Sequence, residues 1–169
     1  MNRPLIIVDI DGVLNPWPYQ RPAGLLAGRV RWTDRRQVRV NYNPAHGRML
    51  TGLAERHDAE LVWGTMWQAD ANRFGRLVGL QLPVIPISRT GLRSYDMGEY
   101  KARSIVPWTG GRPFVWFDDE ADAAEAATRL AEPGQLFRVV TVDDGTGLTE
   151  ADVAEADRFL SGLRAGSTA

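Results

Sequence analysis

The sequence predicts a three-layer, doubly wound α/β fold built on a parallel sheet of about five strands. Three observations predict it. Short apolar runs alternate with amphipathic helical stretches along the whole chain, a pattern that winds a parallel sheet with right-handed crossovers. The first run, Leu5-Ile6-Ile7-Val8, is continuously apolar and ends at Asp9. That is the pattern of a central strand buried on both faces, its carboxyl end opening into a site. Finally, 169 residues with 44% hydrophobic and 24% charged composition suit one globular domain, here 1–169, with a single core.

The remaining elements follow in order. Residues 15–29 hold Pro16, Pro18, Pro22, Gly24 and Gly28 beside Trp17 and Tyr19 and read as irregular loop. Val30 to Trp32 and Val38 to Tyr42 alternate apolar and polar residues about a polar turn, which predicts a β-hairpin with one polar face. Loop and hairpin together make a flap over about 15–43. A helix starts at Asn43 or Pro44 and runs to about Arg56. Glu60 to Gly64 is the second strand, ending at Thr65; a helix covers 69–79; Pro83 to Ile87 is a third strand with prolines at its ends. A short helix over 98–106 carries Lys101, and Pro113 to Phe117 is a fourth strand ending at Asp118-Asp119. A helix over 120–131, a fifth strand over 136–142 and a last helix from Thr149, opened by a near capping box, complete the alternation. Repeats, low-complexity tracts and a second domain are not expected.

Composition narrows the chemistry. With no cysteine, disulfides, thiolate metal sites and cysteine nucleophiles are excluded together, and the chain fits a reducing cytoplasm. The first apolar run is too short for a signal peptide or a membrane span, so a soluble, cytoplasmic protein is expected. His46 and His57 stand eleven positions apart on one helical stretch and read as surface residues rather than zinc ligands or a catalytic base. Carboxylates must then carry any chemistry. Among twenty basic residues Lys101 alone is lysine, as if one place needed a compact ammonium where a planar guanidinium fork will not fit. Charge is also segregated: residues 1–48 hold eight Arg against three Asp, and residues 118–157 hold twelve acids against two Arg.

In a doubly wound sheet the site lies beyond the carboxyl ends of the strands. Asp9 and Asp11 end the first strand, Thr65 the second, and Asp118-Asp119 the fourth, so the fold gathers them. Four carboxylates together demand a divalent cation, and oxygen-only ligation indicates Mg²⁺. In an extended chain the side chains at Asp9 and Asp11 point the same way, and Gly12 lets the backbone turn sharply afterwards. One of the two can attack phosphorus while its neighbour handles the proton, with Lys101 and the cation neutralising charge on the phosphoryl oxygens. Taken singly, Asp-x-Asp-Gly also fits an acidic turn, and Asp118-Asp119 a helix N-cap. Gly12 at the fourth position rules out an EF-hand loop.

The ordered set Asp9-Ile10-Asp11-Gly12-Val13-Leu14, Thr65, Lys101 and Asp118-Asp119 resembles the four motifs of the haloacid dehalogenase (HAD) superfamily, over about residues 5–120. The resemblance implies a Rossmann-like fold and a phosphatase. Asp9 would be the nucleophile, forming an aspartyl-phosphate, and a magnesium ligand. Asp11 would be the general acid/base and would ligate through its backbone carbonyl. Thr65 and Lys101 would hold phosphoryl oxygens, and Asp118 and Asp119 would complete the metal site, with Asp122 the alternative to Asp119. A receiver domain uses similar residues in another order, with its acid pair at the first strand and its lysine at the last.

Larger relatives insert a cap after the first motif or between Thr and Lys. Here those intervals leave room only for the flap, so a capless enzyme with no large cap domain is expected, open to a bulky substrate. Arg29, Arg31, Arg35, Arg36 and Arg39 alternate in the flap with aromatics, a mixture that binds phosphate backbones and stacks bases. The same mixture fits a solvated hairpin. The chain is also loosely similar to small phage and bacterial HAD domains linked to nucleic-acid repair, which points to a nucleic-acid end or a nucleotide as substrate. Asn15, Trp67, Arg31 and Arg39 are the candidate substrate contacts. Another phosphomonoester, from a phosphoprotein or small metabolite, and a non-catalytic magnesium- or phosphate-binding module are the alternatives.

Overall fold

The computed structural model describes residues 3–18, 24–88, 90 and 96–165. In chain order its elements are β1 (Leu5–Val8), β2 (Leu26–Arg31), β3 (Gln37–Tyr42), α1 (Ala45–His57), β4 (Glu60–Trp63), α2 (Ala71–Val78), α3 (Met97–Trp108), β5 (Phe114–Asp118), α4 (Ala123–Leu130), β6 (Phe137–Thr141) and α5 (Glu150–Ala165). Tyr19, Pro22 and most of the 88–95 loop lie outside the described residues.

All four side chains of β1 are fully buried, each worth about 1.5–3 kcal/mol of transfer free energy, so the strand must be central. It pairs in parallel with β4 on one side and β5 on the other, and β6 extends the sheet to the order β4-β1-β5-β6. Alternation along β1 sends Ile6 and Val8 into a core with Leu50 and Leu53 of α1, Phe74 of α2 and Leu160 of α5. Leu5 and Ile7 face the opposite way, against Ala102 and Ile105 of α3 and Ala123 and Ala126 of α4. Helices thus cover both faces in three layers, as the alternation predicts.

The third predicted strand, Pro83 to Ile87, contracts to a single parallel bridge, Trp63 to Val84, at the sheet edge. Two hydrogen bonds hold it, Trp63 N to Pro83 O at 2.8 Å and Ile85 N to Trp63 O at 2.9 Å. Pro83 and Pro86 have no N–H with which to extend the ladder. The helix predicted over 69–79 opens with a 3₁₀ turn at Gln68–Asp70 before α2. Helix α3 runs two residues beyond its predicted end, with Pro107 in its last turn, and α4 starts three residues after its predicted start. Thr149 and Asp152 form the reciprocal cap expected at α5: Thr149 N donates to Asp152 Oδ2 at 2.8 Å and Asp152 N to Thr149 Oγ1 at 3.3 Å.

The hairpin is longer than predicted, because Leu26 to Arg29 pair with Tyr42 to Arg39. Gly28 permits this: a Cβ there would stand 3.0 Å from the ring of Tyr42. Val30 and Val40 bury the inner face, and the tip is fastened where Thr33 N and Oγ1 donate to Asp70 Oδ1 at 2.9 and 2.7 Å.

Both histidines are buried, at 4% exposure for His46 and 8% for His57, against the expectation of surface positions. His57 Nε2 meets Asp157 Oδ1 at 3.1 Å, and His46 sits in the first turn of α1, where that helix presses on the end of α2. The approach there is so close that a Cβ on Gly47 would lie 1.7 Å from Val78 O. Burial pulls the pKa of His46 below its ordinary value, outweighing a hydrogen bond with the backbone of Leu148. The fold therefore favours the neutral ring, and the unfolded chain takes up the proton first as pH falls. This stabilisation is complete above about pH 6.5 and declines as pH drops from there toward the lowered folded value. His46→Gln is expected to shrink the loss of melting temperature between pH 7.5 and 5; an equal loss in both proteins would refute the assignment.

Candidate active site

Three backbone features build the site. Strand β1 delivers Asp9 to its carboxyl end, and β5, one strand over, delivers Asp118 at the same level. After Asp9 the chain turns back tightly: Gly12, at φ +72°, lies within a turn that starts at Ile10 and is closed by Leu14 N to Ile10 O at 2.8 Å and Asn15 N to Ile10 O at 2.7 Å. Gly12 is required twice, since its φ is one that L side chains avoid and a Cβ there would fall 2.2 Å from the carboxyl of Asp119.

Lys101 reaches this point from α3. Its Nζ donates to Asp9 Oδ2 at 2.6 Å and to Asp118 Oδ1 and Oδ2 at 2.8 and 2.7 Å. All three residues are buried. The other Asp9 oxygen, Oδ1, accepts from the Ile10 N–H at 2.6 Å, and Asp118 Oδ1 also accepts from Glu120 N at 3.1 Å. One carboxylate oxygen each from Asp9, Asp118 and Asp119 lies within 4.8 Å of the others. Asp122 is turned elsewhere, its two oxygens accepting from Gly98 N at 3.1 Å and Glu99 N at 2.8 Å at the start of α3. Only Asp119 of the two joins the cluster.

Charge in this cluster is out of balance. Burial would lower the pKa of Lys101, but Asp9 and Asp118 outweigh it and hold the ammonium charged. One ammonium cannot neutralise two buried carboxylates and a third beside them. Burial, with the charge of Asp9 and against Lys101, pushes Asp118 up to about 8, and burial again is the main cause that raises Asp119 to about 6. A divalent cation held by these oxygens would remove the surplus, and an all-carboxylate donor set of this size suits a hard ion such as Mg²⁺. The residues present fit the ion.

The carboxyl of Asp11 stands beside the cluster rather than in it. Oδ1 accepts from Asn15 Nδ2 at 2.7 Å and Oδ2 from Trp67 Nε1 at 2.8 Å. Burial raises its pKa, and these two hydrogen bonds oppose the rise. Asn15 in turn accepts from Asn41 N of β3 at 2.8 Å, joining the hairpin to the acid. Trp67 packs edge-on against Trp32 at 5.2 Å and Phe74 at 5.6 Å. Thr65 is fully buried at the end of β4, its Oγ1 accepting from Trp67 N at 3.3 Å.

Of the candidate substrate contacts, Asn15 and Trp67 thus both lie against Asp11, whereas Arg31 and Arg39 are exposed on the outer face of the hairpin. Sequence reasoning missed Asn41. It belongs to no motif, and its partnership with Asn15 spans 26 positions.

A family model described as "HAD domain in Swiss Army Knife RNA repair proteins" matches residues 5–153. No curated protein matches the chain. Among solved structures, the crystal structure of a hypothetical protein from Xanthomonas campestris is similar at 16% identity and a TM-score of 0.47, covering 99% of this chain and 90% of that one.

Proposed function

The chain belongs to this family of HAD domains, and from that premise we propose that it is a magnesium-dependent phosphomonoesterase acting on a phosphorylated nucleic-acid end or a nucleotide. The observation that carries the reading is the convergence of Asp9, Asp118 and Asp119 within 4.8 Å, with Lys101 buried among them.

In this reading Asp9 is the nucleophile. The Ile10 N–H and Lys101 hold its two oxygens, which fixes the carboxylate before substrate arrives and lowers the entropy lost on reaching the reacting geometry. Attack of an Asp9 oxygen on phosphorus breaks the ester bond and gives an aspartyl-phosphate. Asp11, whose pKa burial raises, gives a proton to the leaving oxygen and then takes one from the water that hydrolyses the acyl phosphate. Trp67 and Asn15 keep that carboxyl oriented through both steps. Lys101 and Thr65 bind phosphoryl oxygens. Asp9, Asp118 and Asp119, with the backbone carbonyl of Asp11, would hold Mg²⁺, which would supply positive charge against the phosphoryl group.

Membership in a family of HAD domains found in RNA repair proteins supports an RNA end as the substrate. Among the described residues no helix is long and apolar enough to cross a membrane. The cysteine-free sequence fits a reducing cytoplasm, where we place the protein.

The test is phosphate release from p-nitrophenyl phosphate and from a panel of 3′- and 5′-phosphorylated oligoribonucleotides, nucleotides, sugar phosphates and phosphopeptides. Release is expected to stop in EDTA and return with excess Mg²⁺, and to be fastest on a nucleic-acid end. Failure to release phosphate from any of these with Mg²⁺ present would overturn the proposal.

A further inference from the structure

The outer face of the hairpin carries a feature that the phosphoryl chemistry leaves unused. A cavity of about 510 Å³ opens there, lined among others by Asn15, Trp17, Arg29, Arg39 and Asn41. That volume lies within the range of small-ligand sites, ~300–1,000 Å³. Its floor reaches the catalytic acid through a single side chain, since Asn15 lines the cavity and also donates to Asp11 Oδ1 at 2.7 Å.

Two properties of its walls point to an occupant. Arg29 and Arg39 are direct cross-strand partners. Like charges directly opposite on one face of a hairpin repel, so the arrangement has a cost unless an anion screens it. Among the described residues neither arginine forms an ion pair, and the polar contact of Arg29 is a long hydrogen bond to the neutral Gln37 at 3.4 Å. The third arginine of this face, Arg31, lies two pairs further toward the tip and extends the same positive row.

Trp17 supplies the second property. It is 55% exposed, a large apolar surface left in water, while its backbone is pinned by Trp17 N to Asp144 O at 2.8 Å. An exposed indole on a fixed backbone beside unpaired arginines is what a stacking platform on an electrostatic track requires.

We propose that this cavity seats the one or two nucleotides next to the reacting phosphate of a single-stranded nucleic acid, with a base stacked on Trp17 and backbone phosphates against Arg29 and Arg39. The assignment rests on the phosphatase reading above and adds where the rest of the substrate lies. The hairpin then does by recognition what a cap domain does by enclosure. Its exposed face suits a chain that continues away from the site.

The experiment compares the full chain with Trp17→Ala and with Arg29→Gln/Arg39→Gln, all exposed positions. The first readout is the ratio of kcat/KM for a 3′- or 5′-phosphorylated hexaribonucleotide to that for p-nitrophenyl phosphate. Each variant is expected to lower this ratio about tenfold or more. The double arginine variant is also expected to flatten the logarithmic salt dependence of hexamer binding by about 0.7 for each backbone phosphate it no longer neutralises. The second readout, fluorescence anisotropy of a labelled hexamer in EDTA, needs no turnover. Unchanged anisotropy and an unchanged ratio would overturn the groove, as would a phosphopeptide preferred over the hexamer. Loss of hydrolysis with hexamer binding still sensitive to Trp17 and the arginines would sink the phosphatase reading and leave the groove standing.

Discussion

Asp9→Asn is expected to lower phosphate release by a factor on the order of 10⁴ or more, while the protein folds and melts much as before. An amide oxygen has neither the charge nor the basicity to attack phosphorus, so the covalent route closes although the side chain keeps its shape. Stability behaves differently because Asp9 is one of two carboxylates on a single buried ammonium. Neutralising it removes one ion pair but also the repulsion that adds to burial in pushing Asp118 up, and the two changes oppose each other. Lys101 remains paired with both oxygens of Asp118, at 2.8 and 2.7 Å. Steady-state assays on p-nitrophenyl phosphate, alongside melting curves in EDTA, separate the roles. Retention of a tenth of the wild-type rate would remove Asp9 as nucleophile, and a collapse in melting temperature would show its role to be structural.

The motif positions were legible in the sequence because they obey local rules. An apolar run that stops at an acid marks the carboxyl end of a buried strand, and two such stops, Asp9 and Asp118, come out side by side because β1 and β5 pair in parallel. What holds Asp11 was not legible. Trp67 lies 56 positions away and reaches it because β4 pairs in parallel with β1, which sets the loop after β4 beside the turn after β1, and no periodicity reports that pairing. Asp119 and Asp122 both fit plausible spacings, and the choice depends on the rotation of the backbone after β5, which turns Asp122 onto the N-terminus of α3. Pro83 to Ile87 misled for the opposite reason. Apolar content signalled a strand, but the missing proline N–H groups left a single bridge. The histidines were misplaced because helical periodicity counts His as polar, whereas tertiary packing buries both rings, His46 against the backbone of Leu148 and His57 against Asp157.

The largest loss of stability is expected from Lys101→Met. Methionine matches the length of the aliphatic stem and is at home in an apolar interior, so the change isolates the ammonium. Lys101 is 2% exposed and Asp118 has no exposure, so solvent cannot replace the missing partner. Removing one member of a buried ion pair leaves the other charge uncompensated and costs about 3–5 kcal/mol. For a chain of this size each kcal/mol shifts the midpoint by ~2–4 °C, so the melting temperature should fall on the order of 10 °C in EDTA. Two companion variants sharpen the result. Adding Asp118→Asn to Lys101→Met should return part of the loss, because the neutral amide no longer needs the ammonium, and the cycle measures that coupling. Lys101→Arg keeps the charge but should not restore activity, since three oxygens at 2.6 to 2.8 Å converge on one nitrogen and leave no room for a planar fork. A chain that uses arginine at nineteen of its twenty basic positions has lysine at this one. Mg²⁺ should raise the melting temperature of Lys101→Met more than that of the unaltered protein, because the cation then meets a larger surplus of negative charge. A methionine variant that melts within about 2 °C of the parent in EDTA would show that the buried carboxylates do not depend on Lys101.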